Sequence, residues 1–169
     1  MEAGVNNPSR YASKWAFIYI AVAALTTCIV QVLNIDPTSV IKILGYTVPI
    51  IAFLILAQLE YRRSLGGYVS FQQAFSLGVR YSVYTGLLFG VLIFVNLSFF
   101  SHEIEQSIAV ARKTLAAQGF SKEQIEARLE VGKKHGASIG AFSAAIQTTI
   151  LGIIISAIGA LIVKKKVVK

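Results

Sequence analysis

The sequence has little charge and almost no cysteine or proline. Charged residues make up 14% of its 169 residues, whereas soluble domains carry about a quarter. The single cysteine, Cys28, excludes an internal disulfide and any paired-thiolate metal motif. Asp and Glu are absent from every long apolar run. That absence argues against a proton- or cation-coupled pump that works through carboxylates of its own.

Catalytic and metal-binding patterns are also missing from the sequence. It contains no Ser-His-Asp arrangement, no phosphate-binding loop and no membrane-buried carboxylate pair. His102 and His135 have no metal-ligand spacing, and solvated surface histidines are the better interpretation of both. We therefore expect a protein that is not an enzyme, with no catalytic residue, cofactor or metal ion.

Hydrophobic residues are abundant, at 55% of the chain. A soluble domain of this size has too little interior to bury so much apolar surface. Four runs are long enough to cross a hydrocarbon core of about 30 Å, and we place the spans at about 15–33, 40–59, 81–100 and 137–163. The predicted fold is all-α: an integral membrane four-helix bundle forming a single membrane domain over 1–169.

The segment between spans two and three combines a flexible turn with a helix start. Gly66 and Gly67 end a charged stretch, and Ser70 with Gln73 forms a capping box. The helix that begins there is too long for the hydrocarbon alone, so we assign its amphipathic start, 70–80, to the headgroup zone.

One polar insert, 102–135, separates spans three and four. Its apolar residues recur at helical spacing on both sides of Gly119, which suits a helix C-terminus. Ser121 and Gln124 form a second capping box. The insert is therefore predicted to be an extramembrane helical hairpin.

The distribution of charge predicts the orientation in the membrane. The net charge is +8. The basic residues flank apolar runs, however, and form no basic face interspersed with aromatic residues, so we do not expect nucleic acid as a partner. The termini and the loop between spans two and three hold nine Lys and Arg against two acids, and the other side holds seven against six. The positive-inside rule then predicts cytoplasmic termini, a bacterial inner membrane and a periplasmic hairpin.

Two polar residues are the first candidates for function. Arg80 is the ionisable residue closest to a span interior, and Gln147 lies near the middle of the fourth span. A charge inside a span is a functional candidate, yet Arg80 lies at the edge of its run, which favours snorkelling to the headgroups. Gln147 could line a substrate path or hydrogen-bond between helices. Gly66 and Gly67 complete the candidate set.

Small residues at four-residue spacing predict close helix packing. Span three carries Gly86 and Gly90. Span four carries a longer row with Gly140, Gly152 and Ser156 among its members. Small side chains let helix backbones approach closely in lipid. The partner is another span of the same chain or a second copy, and internal packing is the favoured interpretation.

The segment from Gly66 to Gly78, the Lys-rich insert, the end of the fourth span at 158–162 and the Lys tail together resemble an uncharacterised bacterial membrane family, the domain of unknown function DUF 4199. The resemblance covers nearly the whole chain. It implies a four-span inner-membrane protein, and it brings no activity and no catalytic residue with it.

These observations favour a non-enzymatic membrane protein that binds lipid or a membrane partner, as a homo-oligomer or an accessory subunit. The alternative is an oligomeric transporter or channel for a small solute, in which Arg80 and Gln147 face a cavity. The partners expected in either case are the lipid bilayer and another membrane protein chain.

Overall fold

The computed structural model describes residues 7–33, 35, 39–99 and 102–165, with the side chains of 102–107 outside the description. Over this part of the chain the secondary structure is helical, apart from an isolated bridge between Val69 and Lys165. The helices are α1 (Pro8–Val32), α2 (Val40–Ser64), α3 (Phe71–Phe99), α4 (His102–Ala117) and α5 (Lys122–Val163). The all-α prediction is confirmed.

Side-chain caps set the helix starts. Asn7 caps α1 by accepting a hydrogen bond from the Ser9 amide at 3.0 Å, which is the usual role of Asn before a first helical turn. The Ser70–Gln73 capping box forms in both directions, at 2.9 and 3.2 Å. Each bond satisfies an amide that the helix itself leaves unpaired, so α3 begins where the sequence predicts.

The turn between α4 and α5 also follows the sequence pattern. Gly119 has φ of +83°, a conformation that favours glycine. The Phe120 amide bonds the Leu115 carbonyl at 3.3 Å, which closes the end of α4. The Ser121–Gln124 capping box then opens α5.

Four of the helices are long and apolar enough to cross a membrane: α1, α2, α3 and α5. Between 17% and 33% of the most apolar stretch of each helix is buried inside the protein. The remaining apolar surface needs a nonpolar solvent, because burial of such surface is the main favourable term in folding. The prediction of four candidate spans is therefore confirmed.

Helix α5 continues without a break from Lys122 to Val163. The second helix of the predicted hairpin and the predicted fourth span are thus one element of 42 residues. No proline interrupts this stretch, and a change from polar to apolar side chains does not by itself end a helix. The position of residues 102–135 outside the membrane stays a prediction.

The helices divide into two compact units. The first comprises the described residues of Met1–Phe89 and Ala145–Lys169. In it α1 runs antiparallel to α2, since the rings of Tyr11 and Tyr61 lie 5.6 Å apart at one end and Thr27 hydrogen-bonds Tyr46 towards the other. The largest buried side chains in this unit are those of Tyr19, Leu54, Gln58, Leu77 and Tyr81.

The second unit comprises Gly90–Ala144. Here Arg112 of α4 pairs with Glu126 of α5, and the Arg128 guanidinium lies 4.1 Å from the centre of the Phe120 ring. Ile125 and Leu129 are buried, in agreement with their apolar spacing.

Candidate functional site

The ends of four helices meet at one end of the first unit. The start of α1 contacts the end of α2 through Glu60, whose carboxylate accepts a hydrogen bond from Lys14 at 2.7 Å and from the Trp15 indole at 2.6 Å. Lys14 also lies 5.4 Å from the centre of the Trp15 ring. Both carboxylate oxygens of Glu60 therefore accept hydrogen bonds from α1, and this acid neutralises the charge of Lys14.

The end of α5 and the loop after α2 join the same end. Arg62 donates a hydrogen bond to the Val163 carbonyl at 3.3 Å, a favourable position for a cation because helix C-termini carry partial negative charge. Val69 and Lys165 exchange two backbone hydrogen bonds, at 3.2 and 3.0 Å. These contacts fix Lys165 to the segment that precedes α3.

Arg80 lies on α3 and reaches the start of α1. Its guanidinium donates to the Ser9 hydroxyl at 2.7 Å. The side chain is exposed and makes no ion pair with the described residues. A guanidinium carries five N–H donors, which suits this side chain to binding an anion.

This end of the first unit, which we call the basic end, is strongly positive. Its described charged residues are seven cations and one acid, namely Arg10, Lys14, Arg62, Arg63, Arg80, Lys164, Lys165 and Glu60. Exposed apolar and aromatic side chains lie beside them, such as those of Tyr68, Phe71 and Leu161. A cationic rim next to apolar surface suits contact with anionic headgroups at a membrane boundary.

Gly66 and Gly67 contribute backbone shape to this end. Their φ angles are +75° and +90°, and a β-carbon at either position would meet nothing within 4 Å. Glycine is therefore favoured at both positions by the backbone conformation and not by a lack of space, since residues with a side chain rarely adopt positive φ. The pair reverses the chain between α2 and α3 and brings Val69 to Lys165.

Beneath the basic end, Gln58 lies fully buried between α2, α3 and α5. Its amide nitrogen donates to the Ala74 carbonyl at 3.1 Å and to the Ser156 carbonyl at 3.2 Å. Its Oε1 atom has no hydrogen-bond partner among the described residues, and a β-carbon on Gly159 would clash with it. One side chain thereby links three helices.

Helices α3 and α5 cross through small residues. A β-carbon on Gly86 would meet the Thr149 hydroxyl and lie 2.7 Å from the Ala145 carbonyl oxygen. One on Gly152 would lie 2.5 Å from the Ser82 hydroxyl, and one on Gly78 would collide with Ser156. Ser156 itself donates to the Phe75 carbonyl at 3.2 Å. The structure thus brings Gly86, Gly152 and Ser156 into one internal interface.

The other predicted packing glycines lie in the second unit. A β-carbon on Gly140 would be 2.7 Å from a methyl group of Leu97, so this contact also requires glycine. Gly90 is buried.

Gln147 lies apart from all these contacts. It is exposed on α5 and has no hydrogen bond to any described residue. The structure therefore does not bring Gln147 together with Arg80. His135 is exposed too, and the side chain of His102 lies outside the described residues.

Sequence reasoning missed several residues of these sites. Gly78 and Ser82 precede Gly86 at four-residue spacing, so the small-residue row of α3 begins two turns before the predicted pair. The hydrogen bonds of Lys14 and Trp15 to Glu60 join residues about 45 positions apart. No local pattern signals such a pair, although Trp15 beside Lys14 is typical of a membrane boundary.

The length, hydropathy and outward apolar surface of the four helices are those of a multi-pass α-helical membrane protein. Within that class, the chain belongs to the family described as "Protein of unknown function (DUF4199)", whose model matches residues 14–165. The resemblance seen in the sequence is thereby confirmed. No curated protein and no solved structure matches the chain.

Proposed function

We propose that this protein is a non-enzymatic membrane protein that binds anionic lipid headgroups at its basic end. The supporting observation is the collection of seven cations and one acid where α1, α2, α3 and α5 meet. Basic residues next to a membrane span attract anionic lipids by about 1 kcal/mol each. Such a protein would hold lipid around itself, or present a lipid-coated surface to a partner, as an accessory subunit does.

The interior of the first unit supports a non-enzymatic role. Several of its polar side chains hydrogen-bond helix carbonyls: Gln58 bonds two backbone carbonyls, and Ser156 bonds the Phe75 carbonyl. Ser82 and Thr149 each bond a carbonyl one turn earlier on their own helix. Groups committed to helix carbonyls in this way are structural, since hydrogen bonds between or along helices satisfy polar atoms that lipid cannot.

Removing charge from the basic end should weaken lipid binding. We expect the double variant Arg63→Gln/Lys164→Gln to bind phosphatidylglycerol in nanodiscs about 25-fold less tightly, at about fivefold per cation. Both side chains are exposed and make no side-chain hydrogen bond in the described structure, so folding should be unchanged. Added salt should weaken binding by the wild type, because exposed charges are screened.

The matched control is Lys133→Gln/Lys134→Gln, which removes two exposed cations of the second unit. Its affinity for phosphatidylglycerol should equal that of the wild type. Equal affinity of the wild type for phosphatidylglycerol and phosphatidylcholine would contradict the proposal.

The basic end also supports the predicted orientation, with both termini cytoplasmic in a bacterial inner membrane. The start of α1 and the end of α5 lie at this end, as the contacts of Arg80 with Ser9 and of Arg62 with Val163 require. Positively charged ends of spans remain in the cytoplasm. The turn between α4 and α5 would then lie in the periplasm.

Cysteine labelling tests this orientation. In a Cys28→Ser background, we expect Gln118→Cys to react with a membrane-impermeant maleimide in intact cells. Lys164→Cys should react only after the membrane is permeabilised. Both positions are exposed, so accessibility within the protein is matched. Labelling of Lys164→Cys but not of Gln118→Cys in intact cells would reverse the orientation.

A further inference from the structure

The side-chain amide of Gln147 lies on the outer surface of α5, one of the four candidate membrane spans. It is exposed, and no described residue hydrogen-bonds it. Gln58, by contrast, is fully buried and bonds two carbonyls. An amide offers two donors and one acceptor oxygen, and a hydrocarbon environment satisfies none of them.

The depth of Gln147 follows from the length of its apolar run. Residues 136–163 contain no charge and measure about 42 Å as a helix. Gln147 lies about 16 Å from the start of that run and about 24 Å from its end. A hydrocarbon core of about 30 Å placed anywhere within the run therefore includes Gln147.

The residues that follow Gln147 on the same face have the spacing of a helix–helix seam. They are separated alternately by three and four positions, and they are Ile150, Ile154, Ala157 and Leu161. Ile150, Ile154 and Leu161 are 54%, 57% and 54% exposed, and Ala157 is half-buried. Alternation of three and four is the heptad pattern by which two helices pack side by side.

This face, the α5 seam, is distinct from the internal contact of α5. Thr149, Gly152 and Ser156 face α3 within the protomer. At 100° per residue, Gln147 points to nearly the opposite side of the helix from these three residues. The row of small residues is thus used inside the protomer, and the seam is free to contact another chain.

We infer that the α5 seam is the interface between two copies of this chain. A second copy in the same membrane has the same orientation, so a two-fold axis along the membrane normal would pair the two α5 helices in parallel. Gln147 would then meet its own equivalent, and each amide would donate to and accept from the other. A polar residue at one seam position also fixes the register of the pair.

Disulfide scanning tests this interface. In a Cys28→Ser background, we expect Gln147→Cys, Ile150→Cys and Ile154→Cys to form cross-linked dimers on mild oxidation in native membranes. Leu87→Cys is the matched control, because it is 62% exposed but lies on α3. It should stay monomeric. No cross-link at the seam, or equal cross-linking at Leu87→Cys, would overturn the inference.

A second measurement isolates the amide pair. We expect Gln147→Leu to raise the dimer dissociation constant roughly threefold to thirtyfold, the range for hydrogen bonds between membrane helices. Energy transfer between labelled copies at increasing lipid dilution measures this constant. Gln147→Asn should stay close to the wild type. Because the side chain is exposed, neither variant should change the thermal stability of the protomer. An unchanged constant in Gln147→Leu would overturn the role of Gln147.

Discussion

Replacing Gly86 by alanine should destabilise the protein by about 2–3 kcal/mol, although alanine ordinarily strengthens a helix by up to about 1 kcal/mol relative to glycine. The new methyl group would collide with the Thr149 hydroxyl and approach the Ala145 carbonyl oxygen to 2.7 Å. A side chain can rotate away, but a backbone carbonyl cannot. Helices α3 and α5 would have to separate, and the packing between them would be lost.

The matched control for this variant is Gly132→Ala. Gly132 lies inside α5, and a β-carbon there would meet nothing within 4 Å. This substitution should stabilise the protein by about 0.5–1 kcal/mol. Reversible unfolding in mixed micelles measures both values. If Gly86→Ala were as stabilising as Gly132→Ala, the crossing of α3 and α5 through small residues would be wrong.

The second large effect concerns Gln58 and Gly159. Gly159→Ala alone should be destabilising, because its methyl group would clash with the Gln58 Oε1 atom and approach a methyl group of Leu54 to 3.3 Å. Gln58→Ala alone should cost about 2–4 kcal/mol, since it leaves a cavity among three helices. Together the two changes should cost less than their sum, because the new methyl group enters space that Gln58 has vacated.

A double-mutant cycle measures this coupling. We expect the double variant to be more stable than additivity predicts by about 1–3 kcal/mol, the range for residues in direct contact. Gly45→Ala serves as the matched partner for Gln58→Ala. Its β-carbon would lie 3.0 Å from a Thr26 methyl group, with no contact to Gln58, so its effect should be additive. Additivity of Gln58→Ala with Gly159→Ala would mean that the two residues do not touch.

Local features of the fold were predictable because each rests on a few neighbouring residues. Both capping boxes form where Ser and Gln stand three residues apart. Gly119 ends α4 in the expected conformation. The number of candidate spans, four, follows from the uncharged runs, since a membrane crossing requires a minimum number of apolar residues.

Contacts between distant residues were not predictable from those patterns. Gln58 and Gln147 both stand in apolar runs, yet one is fully buried and the other exposed. Which face of a helix meets another depends on the packing of all its neighbours, and hydropathy along one helix does not encode it. A four-residue row drifts around a helix of 3.6 residues per turn, so the row alone did not show that Gly86 meets Thr149.

The predicted site residues are likewise only partly connected by the structure. Arg80, Gly66 and Gly67 lie on the segments that form the basic end, as their position around the start of α3 suggested. The share of α1 and α5 in that end follows from contacts between residues far apart in the sequence, such as that of Arg62 with Val163. The distribution of charge along the sequence predicted that this surface is positive, through the positive-inside rule. The hydrogen bonds of Glu60 with Lys14 and Trp15 are visible only in the folded structure.

Native mass spectrometry of the protein released from its own membrane tests most directly whether the basic end selects anionic lipid, by identifying the phospholipids that remain bound. The wild type should retain anionic phospholipids in excess of their share of the membrane, and Arg63→Gln/Lys164→Gln should lose that excess while Lys133→Gln/Lys134→Gln keeps it. Bound lipid with the composition of the bulk membrane, unchanged in the basic-end variant, would contradict the claim.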